Sequence, residues 1–445
     1  MASAAEQLAA NLNFQAFAKA KELQQRILFT LGAMIIYRLG TFIPIPGIDI
    51  VQFQQIFNGQ SGGLLGMFNV FSGGAVERMA IFALNVMPYI SASIIVQLLA
   101  STNPSLERLK KEGEAGRKQL NQYTRYLTVV LAIFQSLGIA VGMQSTPGLV
   151  PDPGPFFIIS TVITLTGGTM FLMWIGEQIT ARGVGNGISL IIFAGIVATL
   201  PSTIAQALEQ GRTGDLDAIA MIAILTLLIG VIVFVVFIER SLRRLVIQYP
   251  KRQVGNRMFM GDSSFLPLKI NTAGVIPPIF ASSLLLLPAT AVQFIGLSES
   301  APEWLQNTVA ALNYGSPLHM FLYAVLIIFF CFFYTSIVFN PEETADNLRK
   351  YGGFLPGIRP GKKTADYLDY VLTRLTVIGA GYIAFVCLLP EMLISYYGLA
   401  FYLGGTSLLI VVSVTLDTVT QIQSHLYAHQ YEGLIKKSKL RGRSR

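Results

Sequence analysis

Hydrophobic residues in this chain are gathered into long apolar runs, which are separated by segments rich in glycine, proline or basic residues. A helix rises about 1.5 Å per residue, so about 20 mostly apolar residues cross the roughly 30 Å of hydrocarbon in a bilayer. Such runs lie near residues 27–45, 79–100, 126–143, 156–178, 187–208, 217–238, 272–292, 317–339, 374–394 and 399–417. None alternates apolar with polar residues, and only helices and closed barrels pair all backbone polar groups in hydrocarbon. The pattern therefore predicts an all-α polytopic membrane protein with ten transmembrane helices.

The composition agrees with lipid as the main solvent. Of the 445 residues, 53% are hydrophobic and 13% are charged, whereas soluble domains carry about 25% charged residues. The first 25 residues are polar and rich in alanine, without the apolar stretch of a cleavable signal peptide. We therefore expect the run from Ile27 to be the first span. Cys331 and Cys387 both lie within apolar runs and do not predict a disulfide.

Basic residues fall on one side of the predicted membrane. With a cytoplasmic N-terminus and ten spans, both termini are cytoplasmic and nearly all lysines and arginines lie in cytoplasmic segments. The outer loops carry Arg212, and Arg38 and Arg78 lie at or near the outer side. This asymmetry follows the positive-inside rule and explains the net charge of +8 without nucleic acid. For the long basic loops 239–271 and 340–373 we favour a docking surface for a ribosome or a motor protein over topology alone.

Five spans in each half of the chain predict that the halves are inverted in the membrane. An odd number of spans places the second half upside down relative to the first, as in inverted-repeat channels and transporters. The predicted divisions are a cytoplasmic segment 1–25, an N-terminal half 26–210, a C-terminal half 211–420 and a basic cytoplasmic tail 421–445. The inversion follows from counting spans, because the halves show no visible sequence repeat.

Two segments contain residues that bend or break helices. Residues 62–74 are apolar, too short to span and bracketed by glycine pairs. This segment is either a re-entrant turn that packs in place or a short mobile helix that folds back into the bundle. Within the predicted span 272–292, Pro277 and Pro278 remove backbone donors, so we expect a kink that acts as a hinge.

Ionisable side chains are scarce at the predicted membrane depth. Ion-coupled transporters need such groups there, and membrane enzymes need nucleophiles, bases or metals. Glu177 and Asp417 lie close to cytoplasmic ends of spans, and His319 begins a span on the outer side. His425 and His429 have a metal-binding spacing without a nearby third ligand, so we expect solvated tail residues. We predict no enzyme activity and no cofactor; a secondary transporter and a membrane-embedded enzyme are the disfavoured alternatives.

Motifs spread from the first predicted span to the last resemble those of the SecY family, the channel subunits of the protein-export machinery. The motifs are Thr41–Gly47, residues 62–74, Met87–Ile95, Gly185–Ser189, Leu266–Lys269 with Gly274–Pro277, Pro356–Gly361 and Gly404–Ile410. These matches are long and occur in order, so they are far more specific than any single short motif. The first 20 residues and the extreme tail carry little of the resemblance.

The resemblance implies an hourglass channel with a constriction, a plug and a lateral gate between spans 2–3 and 7–8. Without it, β-branched residues in a spanning helix are usually lipid-facing or part of a core, and lining a pore is the less common role. The constriction residues are Val86, Ile90, Ile188, Ile192, Ile276 and Ile410, with valine at 86 where isoleucine is commoner. The plug is residues 62–74 and includes Leu64, Leu65, Met67, Phe68, Val70 and Phe71. Weaker gate-lining candidates are Ser91, Gln135 and Asn271.

The resemblance also implies the partners and the membrane. Arg359 corresponds to an arginine that contacts the SecA motor, and Arg257 belongs to the same docking surface. SecE and SecG are expected as membrane subunits, the ribosome or SecA on the cytoplasmic face, preprotein signal sequences as substrates and lipids at the gate. The expected location is the bacterial inner membrane, and no sequence-specific binding of nucleic acid is expected.

Overall fold

The computed structural model describes residues 20–59, 64–145, 148–213, 218–249, 252–254, 257–259, 263–294, 315–397 and 404–442. The chain divides into two compact units. The first contains Met1–Ser202, Thr290–Ser298 and Val414–Arg445, and the second contains Thr203–Ala289 and Glu299–Ser413. Each unit is described by itself below.

The first unit is built from helices. In chain order they are α1 (Lys21–Gly40), α2 (Ile50–Gly59), α3 (Leu64–Ser72), α4 (Met87–Thr102), α5 (Pro104–Lys111), α6 (Glu114–Ser145), α7 (Pro155–Arg182) and α8 (Gly187–Thr213). Helix α8 continues past Ser202 into the second unit. Helix α4 packs against α6, α6 against α7 and α7 against α1. The turns after α1 and α3 bury Ile45, Val76 and Leu84 in one apolar cluster with Leu165 of α7. This cluster fixes the connections around the short helix α3, because their apolar side chains share one core.

The second unit combines helices with short strands. It contains α9 (Ala218–Arg240), β1 (Leu242–Gln248), β2 (Arg252–Val254), β3 (Arg257–Phe259), β4 (Ser263–Lys269), α10 (Ile276–Phe294), α11 (Pro317–Val338), α12 (Pro341–Lys350) and α13 (Lys362–Tyr397). Helix α10 continues past Ala289 into the first unit. The last helix, α14 (Gly405–Gly442), begins in the second unit and continues in the first. Helix α13 packs against both α11 and α12.

The protein is a multi-pass membrane protein by the length and hydropathy of its helices. Among the described residues, six helices are long and apolar enough to cross a bilayer: Glu114–Gln144, Pro155–Arg182, Gly187–Gln206, Pro317–Lys350, Lys362–Leu393 and Gly405–Ala428. Shorter apolar helices cover Met87–Thr102 and Ile276–Leu285. Large apolar side chains point outward, such as Phe156 at 85% exposed and Ile163 at 66% exposed, as expected of helices facing lipid. The predicted total of ten spans stays a prediction.

The expectation of an all-α protein is wrong in the predicted loop 239–271, which forms two antiparallel two-stranded ribbons. Strand β1 pairs with β4 from Leu242↔Lys269 to Gln248↔Ser263, and β2 pairs with β3. In β1, Leu245 and Ile247 are buried and their neighbours are exposed. This period of two follows from one apolar face packed on the unit and one face in water.

Two helix starts differ from the hydropathy prediction because of proline. The predicted run from residue 79 becomes helical only at Met87, and Pro88 lies in the first turn of α4. Helix α10 begins at Ile276, which places Pro277 and Pro278 in its first turn as well. The first N–H groups of a helix have no intrahelical acceptor, so proline is tolerated there. The predicted mid-helix kink at this pair is therefore wrong.

Candidate channel elements

The segment that the sequence marks out with glycine pairs contains a short helix. Helix α3 has nine residues, which is far below the length needed to cross a bilayer. Val70 and Phe71 are buried, and Phe68 is partly buried against the apolar cluster of the first unit. The side chains of Leu64, Leu65 and Met67 lie outside the described residues. The described part of the segment is thus a short helix whose last residues pack in the first unit, and a series of turns joins it to α4.

Side-chain hydrogen bonds fold the chain after α3 back onto the helix. Asn69 donates its Nδ2 to Oε2 of Glu77 at 3.3 Å, and the Glu77 backbone N–H donates to Oδ1 of Asn69 at 3.0 Å. The Val76 N–H donates to Oγ of Ser72 at 3.3 Å. These bonds hold residues 73–77 in turns against the end of α3, in place of a regular helical continuation.

Four of the predicted constriction residues belong to the first unit, two at the start of α4 and two at the start of α8. Val86 is the N-cap residue of α4, and its carbonyl accepts the N–H of Ile90 at 3.0 Å. Val86, Ile90 and Ile192 are 1%, 6% and 4% exposed, while Ile188 is partly buried. Each pair is four residues apart, so its two side chains lie on one face of its helix.

The turn that leads into α8 is held by partners from three other helices. The Val184 N–H donates to Oγ1 of Thr30 at 3.1 Å, and the Gly185 N–H donates to Oε1 of Gln421 at 2.8 Å. The Gly187 N–H donates to Oγ1 of Thr180 at 2.9 Å. These contacts fix the start of α8, and with it the positions of Ile188 and Ile192.

The remaining two constriction residues belong to the second unit. Ile276 is the first residue of α10 and is partly buried. Ile410 lies in the second turn of α14 and is 1% exposed. All six predicted residues therefore lie at an N-cap or within the first two turns of a helix. The sequence did not show this common placement.

The predicted gate residues occupy three different settings. Ser91 is buried on α4, and Gln135 is partly buried on α6, which packs against α4. Asn271 is buried in front of α10 and donates its Nδ2 to Oε1 of Glu239 at 2.6 Å. Its Oδ1 accepts the N–H of Gly274 at 3.0 Å. Asn271 therefore ties the start of α10 to the end of α9.

The two long polar loops pack together in the second unit. Leu245 and Leu268 of the β1–β4 ribbon share an apolar cluster with Leu355 and with Leu368 and Leu372 of α13. The ribbon also pairs with the second loop through an isolated bridge between Gln248 and Phe354. The two predicted docking loops thus form one structured module.

The predicted docking arginines occupy different parts of this module. Arg359 is exposed in a turn flanked by Gly357 and Gly361, whose φ angles are +82° and +103°. This left-handed backbone favours glycine, so the turn presents the arginine on a defined loop. Arg257 is the first residue of β3, and its side chain lies outside the described residues. The exposed turn makes Arg359 accessible to a partner.

One polar pair was not visible in the sequence. His319 on α11 lies with its Nδ1 2.7 Å from Oε1 of Glu391 on α13, and both side chains are buried. Glu391 also accepts the N–H of Gly315 at 3.2 Å. Seventy-two positions separate the pair in the chain, so no local motif could have indicated it. Cys331 and Cys387 are free and buried.

The comparisons with known proteins agree in family and in fold. A SecY family model matches residues 80–419. The chain is 55% identical over 428 residues to the protein translocase subunit SecY of Vibrio cholerae, covering 95% of this chain and 96% of that relative. It is 55% identical over 427 residues to the subunit of the same name from Escherichia coli K12, with the same coverage of both chains.

Solved structures share the fold at low sequence identity. The chain is similar to a protein-conducting channel with a TM-score of 0.65 and 17% identity, covering 91% of this chain and 92% of that one. It is similar to a SecY structure whose plug domain stabilises the closed channel, with a TM-score of 0.64, 19% identity and the same coverage. Together with the family model and the curated relatives, these similarities show that the chain belongs to the SecY family.

Proposed function

We propose that this protein is the central protein-conducting channel subunit of a Sec translocase. It passes unfolded preproteins across the plasma membrane and releases transmembrane segments sideways into lipid through a lateral gate. The observation that carries the proposal is the match to relatives named protein translocase subunit SecY over 95% of the chain. Such a subunit is a passive channel and not an enzyme, so partners drive the movement.

The proposed constriction consists of Val86, Ile90, Ile188, Ile192, Ile276 and Ile410. Side chains branched at Cβ have few rotamers, and an apolar constriction can exclude ions because it does not hold water. Such a constriction makes no sequence-specific contact, which suits a channel for many preproteins. The placement of all six residues at helix starts supports the proposal, because each adjoins a turn that can adjust as the opening widens.

The proposed plug is the segment 62–74 with α3 at its centre. A helix of nine residues cannot span the membrane, yet it is apolar, and Val70 and Phe71 near its end are buried in the first unit. A solved relative has a plug domain that stabilises its closed state and maintains a membrane seal. We assign the same role to α3 in this chain.

The proposed lateral gate lies between the second and third spans on one side and the seventh and eighth on the other. Ser91 on α4 and Gln135 on α6 would line the first side. Asn271 would set the position of α10 on the second side through its bond to Glu239. Polar groups at these positions would contact a signal sequence as it leaves the channel for lipid.

The proposed partners are SecE and SecG in the membrane and the SecA motor or the ribosome on the cytoplasmic face. Two structural neighbours are a canine Sec61 and a yeast Ssh1 complex, each bound to a ribosome. The module of loops 239–271 and 340–373, with Arg257 and Arg359, is the proposed docking surface. The proposed location is the bacterial inner membrane, with both termini in the cytoplasm.

The docking proposal is tested with Arg359→Glu in vesicles that contain the complete translocase. Charge reversal should abolish motor-driven export of a secretory precursor while the protein still inserts into the membrane. Arg349→Glu is the matched control, because Arg349 is also exposed in this module. Normal export by Arg359→Glu would contradict the docking role, and loss of export in both variants would show a general charge effect.

A further inference from the structure

The end of helix α3 leaves carbonyl groups that its own backbone does not satisfy. Gly73 and Gly74 have φ angles of +68° and +82°, so the helix ends in a left-handed turn. The Gly74 N–H donates to the Asn69 carbonyl at 2.9 Å, and the Gly73 N–H donates to the Val70 carbonyl at 3.2 Å. This pair of bonds is the Schellman arrangement, which satisfies two of the four terminal carbonyls.

The next three carbonyls are each bound by a side chain from outside α3. The Phe71 carbonyl accepts Nδ2 of Asn85 at 2.6 Å, and the Ser72 carbonyl accepts the hydroxyl of Tyr37 at 3.1 Å. The Gly73 carbonyl accepts Nη1 of Arg38 at 2.9 Å. We call Tyr37, Arg38 and Asn85 the carbonyl clamp. Its members come from the end of α1 and from the turn before α4, so one end of α3 is attached to two other elements.

Asn85 occupies an unfavourable conformation in the clamp. Its φ angle is +49°, which is uncommon for a residue other than glycine. It is 2% exposed, and its buried Oδ1 has no hydrogen-bond partner among the described residues. A strained backbone and an unsatisfied oxygen both raise the free energy of the folded state. The bond to the Phe71 carbonyl is the polar contact that offsets these costs.

Helix α8 packs closely against the clamp. A Cβ atom on Gly195 would lie 2.6 Å from the Phe71 carbonyl oxygen and 2.9 Å from the Tyr37 hydroxyl oxygen. A Cβ atom on Gly73 would lie 2.9 Å from the Gly195 Cα. The backbone of α8 therefore contacts the turn after α3 at two glycines, Gly195 and Gly73. Gly195 lies one turn of α8 beyond the constriction residue Ile192.

We propose that the carbonyl clamp is the fixed pivot of the plug. When α3 moves out of the channel, its C-terminal end stays bound at residues 71–73 and its N-terminal end swings away. In the resting channel without a precursor, ions leak when the clamp bonds break and the whole helix detaches, so weakening the clamp raises the leak. This inference rests on the proposed function and adds the positioning residues Tyr37, Arg38 and Asn85 to it.

The first test measures ion leak through the purified translocase in liposomes without a precursor. Tyr37→Phe removes only the hydroxyl, and Asn85→Gly removes the amide while keeping a residue suited to positive φ. A neutral hydrogen bond contributes on the order of 1 kcal/mol, so each variant should raise the leak about five-fold. Tyr382→Phe is the matched control, because the buried Tyr382 hydroxyl in the second unit has no hydrogen-bond partner in the part of the chain that the structure describes. This variant should leak like the wild type.

The second test measures hydrogen exchange of the α3 segment in the wild type while a stalled precursor occupies the channel. The pivot predicts that the amides of Gly73 and Gly74 stay protected while those at the start of α3 lose protection. Equal loss of protection along the whole segment would overturn the pivot. In Asn85→Gly the two glycine amides should lose protection as well.

The outcomes separate this inference from the channel function. If the wild-type translocase moves no precursor with its partners present, the proposed function fails. If precursor crosses normally but Tyr37→Phe and Asn85→Gly leak no more than Tyr382→Phe, the clamp is overturned and the channel stands. The two variants break bonds to different carbonyls, so either one decides the question if the other does not fold.

Discussion

The buried pair of His319 and Glu391 offers a quantitative test of how the second unit is held together. Nδ1 of His319 lies 2.7 Å from Oε1 of Glu391, and the side chains are 5% and 1% exposed. Buried ionisable side chains are costly unless they are paired. We therefore predict that His319→Leu destabilises the second unit, because it leaves a buried carboxylate with the Gly315 N–H as its donor.

The size of the effect follows from the burial of the pair. The two side chains are 2.7 Å apart and almost fully buried, and removing one partner of a buried ionisable pair costs about 3–5 kcal/mol. We expect that loss for His319→Leu. The double variant His319→Leu/Glu391→Leu should recover most of it, because no unpaired charge remains.

Native cysteines allow this prediction to be measured with a thiol-reactive fluorophore. Cys331 and Cys387 are the two cysteines of the chain, both are buried, and both belong to the second unit. They become reactive when that unit opens on heating or in denaturant. His425→Leu is the matched control: His425 is exposed, so its replacement should change stability by less than about 0.5 kcal/mol. The reasoning is refuted if His319→Leu behaves like this control. It is also refuted if the double variant loses as much stability as His319→Leu and Glu391→Leu lose together.

Three further predictions concern packing, surface charge and helix capping. A Cβ atom on Gly187 would overlap the Gly176 carbonyl, so Gly187→Ala should cost at least about 1–3 kcal/mol; an unchanged melting temperature would contradict this close contact. The bidentate bond from Arg125 to Glu177 is partly exposed, so Arg125→Ala should lower the free energy of unfolding by no more than about 1 kcal/mol in a denaturation series. A decrease of more than about 2 kcal/mol would contradict this small contribution of the ion pair. The Asn340 side chain accepts two N–H groups at the start of α12, so Asn340→Ala should lower local stability by about 1 kcal/mol, seen as faster hydrogen exchange in α12 but not in α13.

The long spans could be predicted from the sequence because hydropathy and length decide them. The runs near 126–143 and 156–178 became α6 and α7. Hydropathy failed where backbone conformation decides. Residues 79–86 are apolar but form turns, with positive φ at Met79 and Asn85. A hydropathy average cannot detect such turns.

The ribbon and the polar pairs were missed for two different reasons. The alternation of Leu245 and Ile247 in β1 was a readable signal, but the basic residues around it favoured a docking loop. The pair of His319 and Glu391 and the clamp bond from Tyr37 to Ser72 join positions far apart in the chain. Only tertiary structure brings such residues together. The constriction residues could be chosen only through the family resemblance, since apolar side chains carry no chemical signature of their own.

The most direct test of the channel places a photo-crosslinking residue at Ile192 and stalls a secretory precursor midway through vesicles that contain the complete translocase. Ile192 is buried at the start of α8, while Val233 on α9 is 63% exposed and serves as the lipid-facing control. The account predicts a crosslink from position 192 to the precursor and none from position 233. If position 192 captures lipid or nothing while the precursor is demonstrably engaged, the assignment of the constriction is contradicted.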